Sequence, residues 1–253
     1  MTTAFVAGRF DGLTAVVTGA GSGIGKATAE RLLAEGATVV ASDISTERLD
    51  AFAAEAATER LLTVAGDVSA PETAQAILDA AGGRVDALVN NAGVMDGFLP
   101  TAEITDEVWE RVLNVNLTGP MRLTRAVLPS MVERGSGTIV NVASEAGIRA
   151  GASGTSYAVS KSGVIALTKS TAFFYGSKGI RTNAVAPGGV NTNIEAPFLS
   201  QLAGERLGPL FQAYGIAPAE PTELAAAITW LLSADSSNVN GTVMMSDGGW
   251  STV

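Results

Sequence analysis

The stretch Leu13 to Glu35, LTAVVTGAGSGIGKATAERLLAE, decides how the rest of the chain is read. An apolar run from Leu13 to Val17 meets a glycine cluster at Gly19, Gly21, Gly23 and Gly25, and an alanine- and leucine-rich segment follows. That order is strand, turn, helix. Glycine suits the turn because the backbone must bend sharply and because a side chain would keep a ligand off the first turn of the helix. The unpaired N–H groups there, with the positive end of the helix dipole, favour a phosphate or pyrophosphate, so a nucleotide is the natural guest. The same residues also serve a turn that only packs a helix closely on a sheet.

Spacing narrows the choice. The common dinucleotide fingerprint G-x-G-x-x-G is absent, because Ile24 and Lys26 stand where its last glycine would fall. Thr18-Gly19 with Gly23 and Gly25 instead spell T-G-x-x-x-G-x-G, a variant that resembles the short-chain dehydrogenase/reductase family.

At 253 residues the chain could form one large α/β domain or two small ones. A formal net charge of −9, with no basic run, argues against nucleic-acid and anionic-membrane partners. The chain has neither Cys nor His, which removes thiol nucleophiles, disulfides, imidazole mechanisms and most transition-metal sites; no metal is expected. Acid–base chemistry is left to Tyr, Lys, Asp or Glu. The N-terminal MTTAFVAGRFDG has no charged-then-apolar signal pattern, and no apolar run reaches the roughly 18 residues needed to span a bilayer, so a soluble cytoplasmic protein is expected.

Further along, 37–42 is a second apolar run closing on Asp43, and 46–58 reads as a helix. An acid about 20 residues after the glycine turn is where a carboxylate accepts hydrogen bonds from the adenosine ribose of NAD and repels a 2′-phosphate. Asp43 therefore argues for NAD over NADP, as do the neutral Ser22 in the turn and the lack of Arg or Lys directly after Asp43. The alternative is a solvated Asp at a strand end. A third strand, 60–65, ends near Asp67-Val68, a helix starts after Pro71, and a fourth strand, 87–89, runs into Asn90-Asn91-Ala92-Gly93. Thr105 caps a helix that runs to Glu133, with a kink or break expected at Gly119-Pro120. Asn114 and Asn116 precede that break, and mid-helix Asn suggests either a polar role or one surface and one satisfied core residue. Strand 138–143 delivers Ser144, helix 155–178 carries Tyr157 and Lys161, and strand 180–186 ends at Pro187-Gly188. The segment 190–220 is the least regular and carries Phe198, Leu199, Leu202, Leu207, Leu210, Phe211, Tyr214 and Ile216. Pro221-Thr222 then caps a helix to Leu232, and 242–245 is the last strand. Seven strands alternating with helices, without a composition break or repeat, predict one doubly wound Rossmann domain over 1–253: a seven-stranded parallel sheet with helices on both faces.

Tyr157 and Lys161 are four apart and so share a helix face. A free Tyr, with a pKa near 10, is a poor base at neutral pH, but a cation within a few Å favours the phenolate. Lys161 is expected to lower the Tyr157 pKa in this way, with an oxidised nicotinamide adding a second positive charge. Ser144, at the end of the preceding strand, can converge on the oxygen that Tyr157 protonates or deprotonates. Tyr-x-x-x-Lys alone equally describes a half-buried Tyr and a solvated Lys on an ordinary helix; its coincidence with Ser144 and the glycine turn is what gives it weight.

The resemblance now covers nearly the whole chain: TGAGSGIG, Asp43, Asp67-Val68, NNAG, Asn116 in NVNL, Ser144, YAVSK from Tyr157 to Lys161, and PGGVNT from Pro187 to Thr192. It implies that Tyr157 is the general acid/base and that Ser144 orients the substrate oxygen. By the same resemblance Lys161 holds the nicotinamide ribose, and Asn116 keeps a water in a proton relay. Gly19, Ser22, Gly23 and Ile24 of the first motif would bind cofactor, Asp67 and Val68 would meet the adenine, and Asn90, Asn91 and Gly93 would line the sheet edge beside it. Pro187, Gly188, Val190 and Thr192 would meet the nicotinamide carboxamide. The 190–220 segment resembles the family's substrate lid; its apolar residues suit an apolar or amphipathic substrate, or else pack on the sheet or a neighbouring subunit. Met95, Glu145, Ile148 and Arg149 flank the expected pocket, where Glu145 either binds a polar or cationic substituent or faces water. The leading expectation is an NAD-dependent oxidoreductase interconverting a secondary alcohol and a ketone. The alternatives are an NADPH-dependent 3-oxoacyl reductase and a non-catalytic NAD(H) sensor. A homotetramer is implied, which a monomeric mass in solution would contradict.

Overall fold

Thr14–Thr18 form β1, an interior strand of the sheet, and its side chains alternate between two buried layers. Ala15 and Val17 enter one core with Leu32, Phe52 and Ile228, while Val16 enters the other with Ile77, Leu123 and Met131. A strand buried on both sides needs an unbroken apolar run, and TAVVT supplies it. The computed structural model describes residues 4–194, 196–214 and 217–252. Ile216 and the side chain of Tyr214, both counted in the apolar set above, lie outside that description.

The other strands are β2 (Thr38–Asp43), β3 (Leu61–Ala65), β4 (Ala87–Asn90), β5 (Gly137–Val142), β6 (Ile180–Pro187) and β7 (Val243–Ser246). They pair in parallel in the order β3-β2-β1-β4-β5-β6-β7. Helices α1 (Gly23–Ala34), α2 (Thr46–Ala56) and α8 (Pro221–Leu232) feed the first core, and α3 (Pro71–Ala80) and α5 (Gly119–Arg134) the second. This is the doubly wound parallel sheet that the sequence predicts. The strand order reverses between β1 and β4, so their C-terminal ends part there and leave room for a ligand. Among the described residues no helix is long and apolar enough to cross a membrane.

Two helical expectations change. The helix expected over 105–133, with a kink or break at Gly119-Pro120, runs on through a π-helical turn just before that pair: α4 (Asp106–Leu113) passes into Asn114–Thr118 and then directly into α5, and the Gly119 N–H bonds Asn114 O. Pro120 sits in the first turn of α5, where its missing N–H costs nothing. Gly119 is required instead by packing, since a Cβ there would stand 3.0 Å from the Val68 carbonyl oxygen. The second change is a regular helix, α7 (Gln201–Tyr214), inside the segment read as irregular. Gly204, Gly208 and Pro209 lower its intrinsic propensity, and burial of Ala203 and Leu207 with Phe98 offsets that.

Glycine can be replaced in this fold only where a Cβ has room. On Gly25 it would lie 2.1 Å from the Gly19 carbonyl oxygen, whereas on Gly204 it would meet nothing within 4 Å. In urea unfolding, Gly25→Ala is expected to cost more than about 2 kcal/mol, and Gly204→Ala to add about 0.5 kcal/mol.

Candidate active site

The glycine turn joins β1 to α1 with two left-handed residues, Gly19 at φ 64° and Gly23 at φ 53°. Ser22 precedes α1 without a side-chain cap, so the first amides of the helix are left for another acceptor. Gly21 allows the end of β2 to approach: its N–H donates to Asp43 Oδ2 at 2.9 Å, and a Cβ there would meet the same oxygen at 2.9 Å. Asp43 Oδ1 accepts from Ser45 N at 3.0 Å, so the carboxylate is fixed at the turn. On the other side, Asn91 and Ala92 donate their N–H groups to Thr18 Oγ1 at 3.0 and 3.1 Å, and Asn91 Nδ2 donates to Thr18 O at 2.9 Å. These bonds fasten the loop after β4 to the end of β1.

A cleft of about 940 Å³ runs along this sheet edge. Gly19, Ser22, Gly23, Ile24 and Asp43 line one end with Asp67 and Val68; Asn91, Gly93, Pro187, Gly188, Val190 and Thr192 line its middle. Ser144, Tyr157 and Lys161 meet at the other end. A long, flat dinucleotide fits this donor set: uncapped helix amides for a pyrophosphate, a fixed carboxylate for ribose hydroxyls, and a floor at Gly93. A Cβ on Gly93 would stand 3.4 Å from Asn116 Oδ1 and 3.5 Å from Lys161 Nζ.

Two expected residues do not reach the cleft wall. Asn90 is buried, and its amide donates to Asn141 Oδ1 at 2.8 Å and Thr124 Oγ1 at 3.2 Å. Asn116 is buried in the π-turn, accepting from Val94 N at 2.8 Å and donating to Val94 O at 3.0 Å and Ser160 Oγ at 3.1 Å. Asn114 is exposed, so the two Asn residues divide into a surface and a satisfied buried one.

The structure reverses the expected tuning of Tyr157. Burial pushes its phenol up to about 12; a hydrogen bond with Ser144 opposes this and the charge of Asp96 adds to it. Lys161 Nζ lies 5.5 Å from the Tyr157 ring centroid and donates to Val142 O at 2.9 Å, and burial pushes it down to about 8. Burial thus disfavours the charged form of both groups. Ser144 is held as the cap of the turn that follows β5, its Oγ accepting from Ala146 N at 3.1 Å, which leaves its proton for the Tyr157 oxygen.

Glu145 neither faces water nor offers an open carboxylate. It is buried and ion-paired with Arg149, with burial pushing its pKa up and Arg149 opposing that. Ile148 is exposed and is not part of the cleft wall. Sequence reading missed Asp96, Arg48, Arg111 and Trp250, all of which line the cleft. Arg48 lies five residues after Asp43, in the first turn of α2, and Trp250 is three residues from the C-terminus, with the Arg149 guanidinium 5.6 Å from its ring. Neither belongs to a motif.

A family model for short chain dehydrogenases matches residues 13–203. The chain is 41% identical over 248 residues to the 3beta-hydroxysteroid dehydrogenase 2 of Eggerthella lenta, covering 95% of each chain. Among solved structures it resembles levodione reductase with a TM-score of 0.87 and 37% identity, over 97% of this chain and 100% of that one. It also resembles a 3-oxoacyl-[acyl-carrier protein] reductase from Brucella melitensis with bound NAD, with a TM-score of 0.85 and 31% identity over 96% and 92%.

Lys161 binds its proton less tightly folded than unfolded, so its buried charge costs stability below pH about 8, and the cost fades as pH rises toward the unfolded value. Relative to Lys161→Met, the native chain should therefore gain unfolding free energy from pH 8 upward, approaching roughly 3 kcal/mol, in denaturant titrations at fixed salt.

Proposed function

We propose that this chain, which belongs to the short-chain dehydrogenase family and is an oxidoreductase of hydroxyl and keto groups, interconverts a secondary alcohol and a ketone with NAD as cofactor. The observation that carries this reading is the meeting of Ser144, Tyr157 and Lys161 at one end of a cleft whose other end offers uncapped helix amides and the Asp43 carboxylate.

In this reading Asp43 accepts from ribose hydroxyls, and the turn from Gly19 to Ile24 holds the pyrophosphate. Asp67 and Val68 flank the adenine, and Pro187, Gly188, Val190 and Thr192 flank the carboxamide. When bound, the nicotinamide ring accepts or gives the hydride. Tyr157 gives its phenolic proton to the substrate oxygen in reduction and takes it back in oxidation. Ser144 hydrogen-bonds the same oxygen, its hydroxyl being oriented by the Ala146 N–H. Lys161 holds the nicotinamide ribose and offers positive charge beside the phenol. Asn116, clamped to Val94 and Ser160, supports the floor under Gly93 and a water in the proton relay. Met95, Ile194, Pro197, Leu199 and Trp250 line the substrate end, which suits an apolar, ring-bearing substrate; the likeness to a hydroxysteroid dehydrogenase supports the same class.

The second reading is an NADPH-dependent 3-oxoacyl reductase. It draws on Arg48, which lines the cleft near Asp43 and would suit a 2′-phosphate, and on the likeness to a 3-oxoacyl-[acyl-carrier protein] reductase. The fixed Asp43 carboxylate opposes it by charge.

Reduced-nicotinamide absorbance over a panel of alicyclic alcohols and ketones tests both readings. Turnover with NAD is expected to fall by about 10²- to 10⁴-fold in Tyr157→Phe, the scale of a lost acid–base group. Asp43→Ala should weaken NAD about tenfold to a hundredfold, as for lost hydrogen bonds to a charged group, and leave NADP no weaker. Native preference for NADP would favour the second reading, and full activity of Tyr157→Phe would remove the assigned acid.

A further inference from the structure

Helix α6 (Thr155–Tyr175) carries Tyr157 in its first turn, yet Gly154 ahead of it supplies no side-chain cap. The acceptor comes instead from the loop after β4, about sixty residues earlier. Asp96 Oδ2 accepts from Tyr157 N at 2.9 Å and from Ser156 Oγ at 3.1 Å, and Oδ1 accepts from Phe98 N at 3.0 Å. Asp96 is 1% exposed, and no Lys or Arg forms a salt bridge with it among the described residues. The turn holding it is costly: Gly97 at φ 68° is followed by Phe98 at φ 58°, a left-handed conformation that side chains with a Cβ rarely adopt. Its neighbours are shaped to it. A Cβ on Gly154 would stand 2.5 Å from both Asp96 oxygens, and Thr155 N donates to Leu99 O at 3.0 Å.

We propose that Asp96, to which no role is given above, is a positioning residue for Tyr157: held in the strained turn 96–98, its carboxylate fixes the first turn of α6 and so fixes where the phenol stands. The inference rests on the reading of Tyr157 as the acid/base. A cap of this kind normally stabilises a helix end, and any acceptor of the right shape would serve. A buried carboxylate without a cation does more, because its charge lies along the helix end from which the phenol projects. The charge of Asp96 accordingly opposes ionisation of Tyr157. The other charged groups at the cleft are Lys161 on α6 itself, Glu145 paired with Arg149 after β5, Arg111 on α4, and Asp43, Asp67 and Arg48 at the far end. The same turn reaches the substrate end, since Leu199 N donates to Gly97 O at 3.0 Å and Phe98 stacks on Phe198 with centroids 4.3 Å apart.

The chain has three Tyr residues, so ultraviolet absorbance of tyrosinate can isolate one phenol. Native protein minus Tyr157→Phe, recorded in rapid pH jumps that precede unfolding, gives the Tyr157 titration. The same difference in an Asp96→Asn background gives the effect of the charge. The midpoint is expected to fall by about one pH unit or more, as for loss of a nearby like charge. In steady-state assays kcat should fall about tenfold to a hundredfold while KM for NAD changes little, because the amide nitrogen of Asn sets a donor against the N–H of Tyr157 or Phe98 and displaces the phenol. An unmoved midpoint, or an unmoved kcat, overturns the proposal. Asp96→Ser, neutral and too short to bridge Tyr157 N and Phe98 N together, carries the same two expectations and replaces Asp96→Asn if circular dichroism shows the latter unfolded. Failure of the Tyr157 reading is seen separately: Tyr157→Phe then keeps its turnover, whatever the titration does.

Discussion

A side-chain hydrogen bond of 2.8 Å across the sheet, from Asn90 Nδ2 to Asn141 Oδ1, ties together the parts on which the site depends. These residues face each other in register across β4 and β5, the strands that deliver the Asn91–Gly93 loop and Ser144. The chain of bonds extends both ways: Asn141 donates to Thr168 on α6 at 2.8 Å, and Asn90 donates to Thr124 on α5 at 3.2 Å. All four side chains are buried. In a low-dielectric interior such a network leaves a costly orphan if any member is removed, about 1–3 kcal/mol, so it fixes register as well as adding stability. The helix bearing Tyr157 and Lys161 is thereby locked to the strand bearing Ser144, and the separation of the three groups is set within the core.

The same burial governs the chemistry. Tyr157 is raised to about 12 and Lys161 lowered to about 8, so each group is held toward its neutral form. Desolvation outweighs the attraction the two would feel if both were charged, and Lys161 spends its hydrogen bond on Val142 O. A phenol in this state carries its proton at neutral pH but gives it up less readily than a free tyrosine, so release depends on what stabilises the phenolate. To accept a proton from an alcohol it needs its phenolate stabilised, toward which Ser144 contributes a hydrogen bond and Lys161 a positive charge below pH about 8. Membership of a family that acts on both hydroxyl and keto groups is consistent with a site whose direction is set by what it binds.

Much of this was legible in the residues. TAVVT followed by spaced glycines predicts β1, its turn and α1, because a doubly buried strand and a close backbone approach each leave a compositional mark. Asp43 could be put beside the turn from its position about 20 residues further on, and the structure adds the reason it fits, since Gly21 leaves room for its carboxylate. Other features leave no such mark. The π-turn at Asn114–Thr118 is imposed by the bonds of Asn116 to Val94, a partner 22 residues away, and nothing local distinguishes it from a proline kink. α7 is stabilised by Phe98, far off in the chain, against its own Gly and Pro content. The expected lowering of the Tyr157 pKa failed because spacing shows that Lys161 is near and says nothing of how dry the pocket is. Asp96 lay just beyond the NNAG motif, and the only local sign of its role was a long helix that starts without a cap.

The central claim is that Tyr157 is the group that exchanges a proton with what the cleft binds. Proton release on binding answers it without knowledge of the substrate. In weakly buffered solution at alkaline pH with an indicator dye, NAD⁺ should release protons on binding and NADH should release fewer, and the difference should vanish in Tyr157→Phe. Equal release with the two forms, or a difference that survives in Tyr157→Phe, would contradict the account.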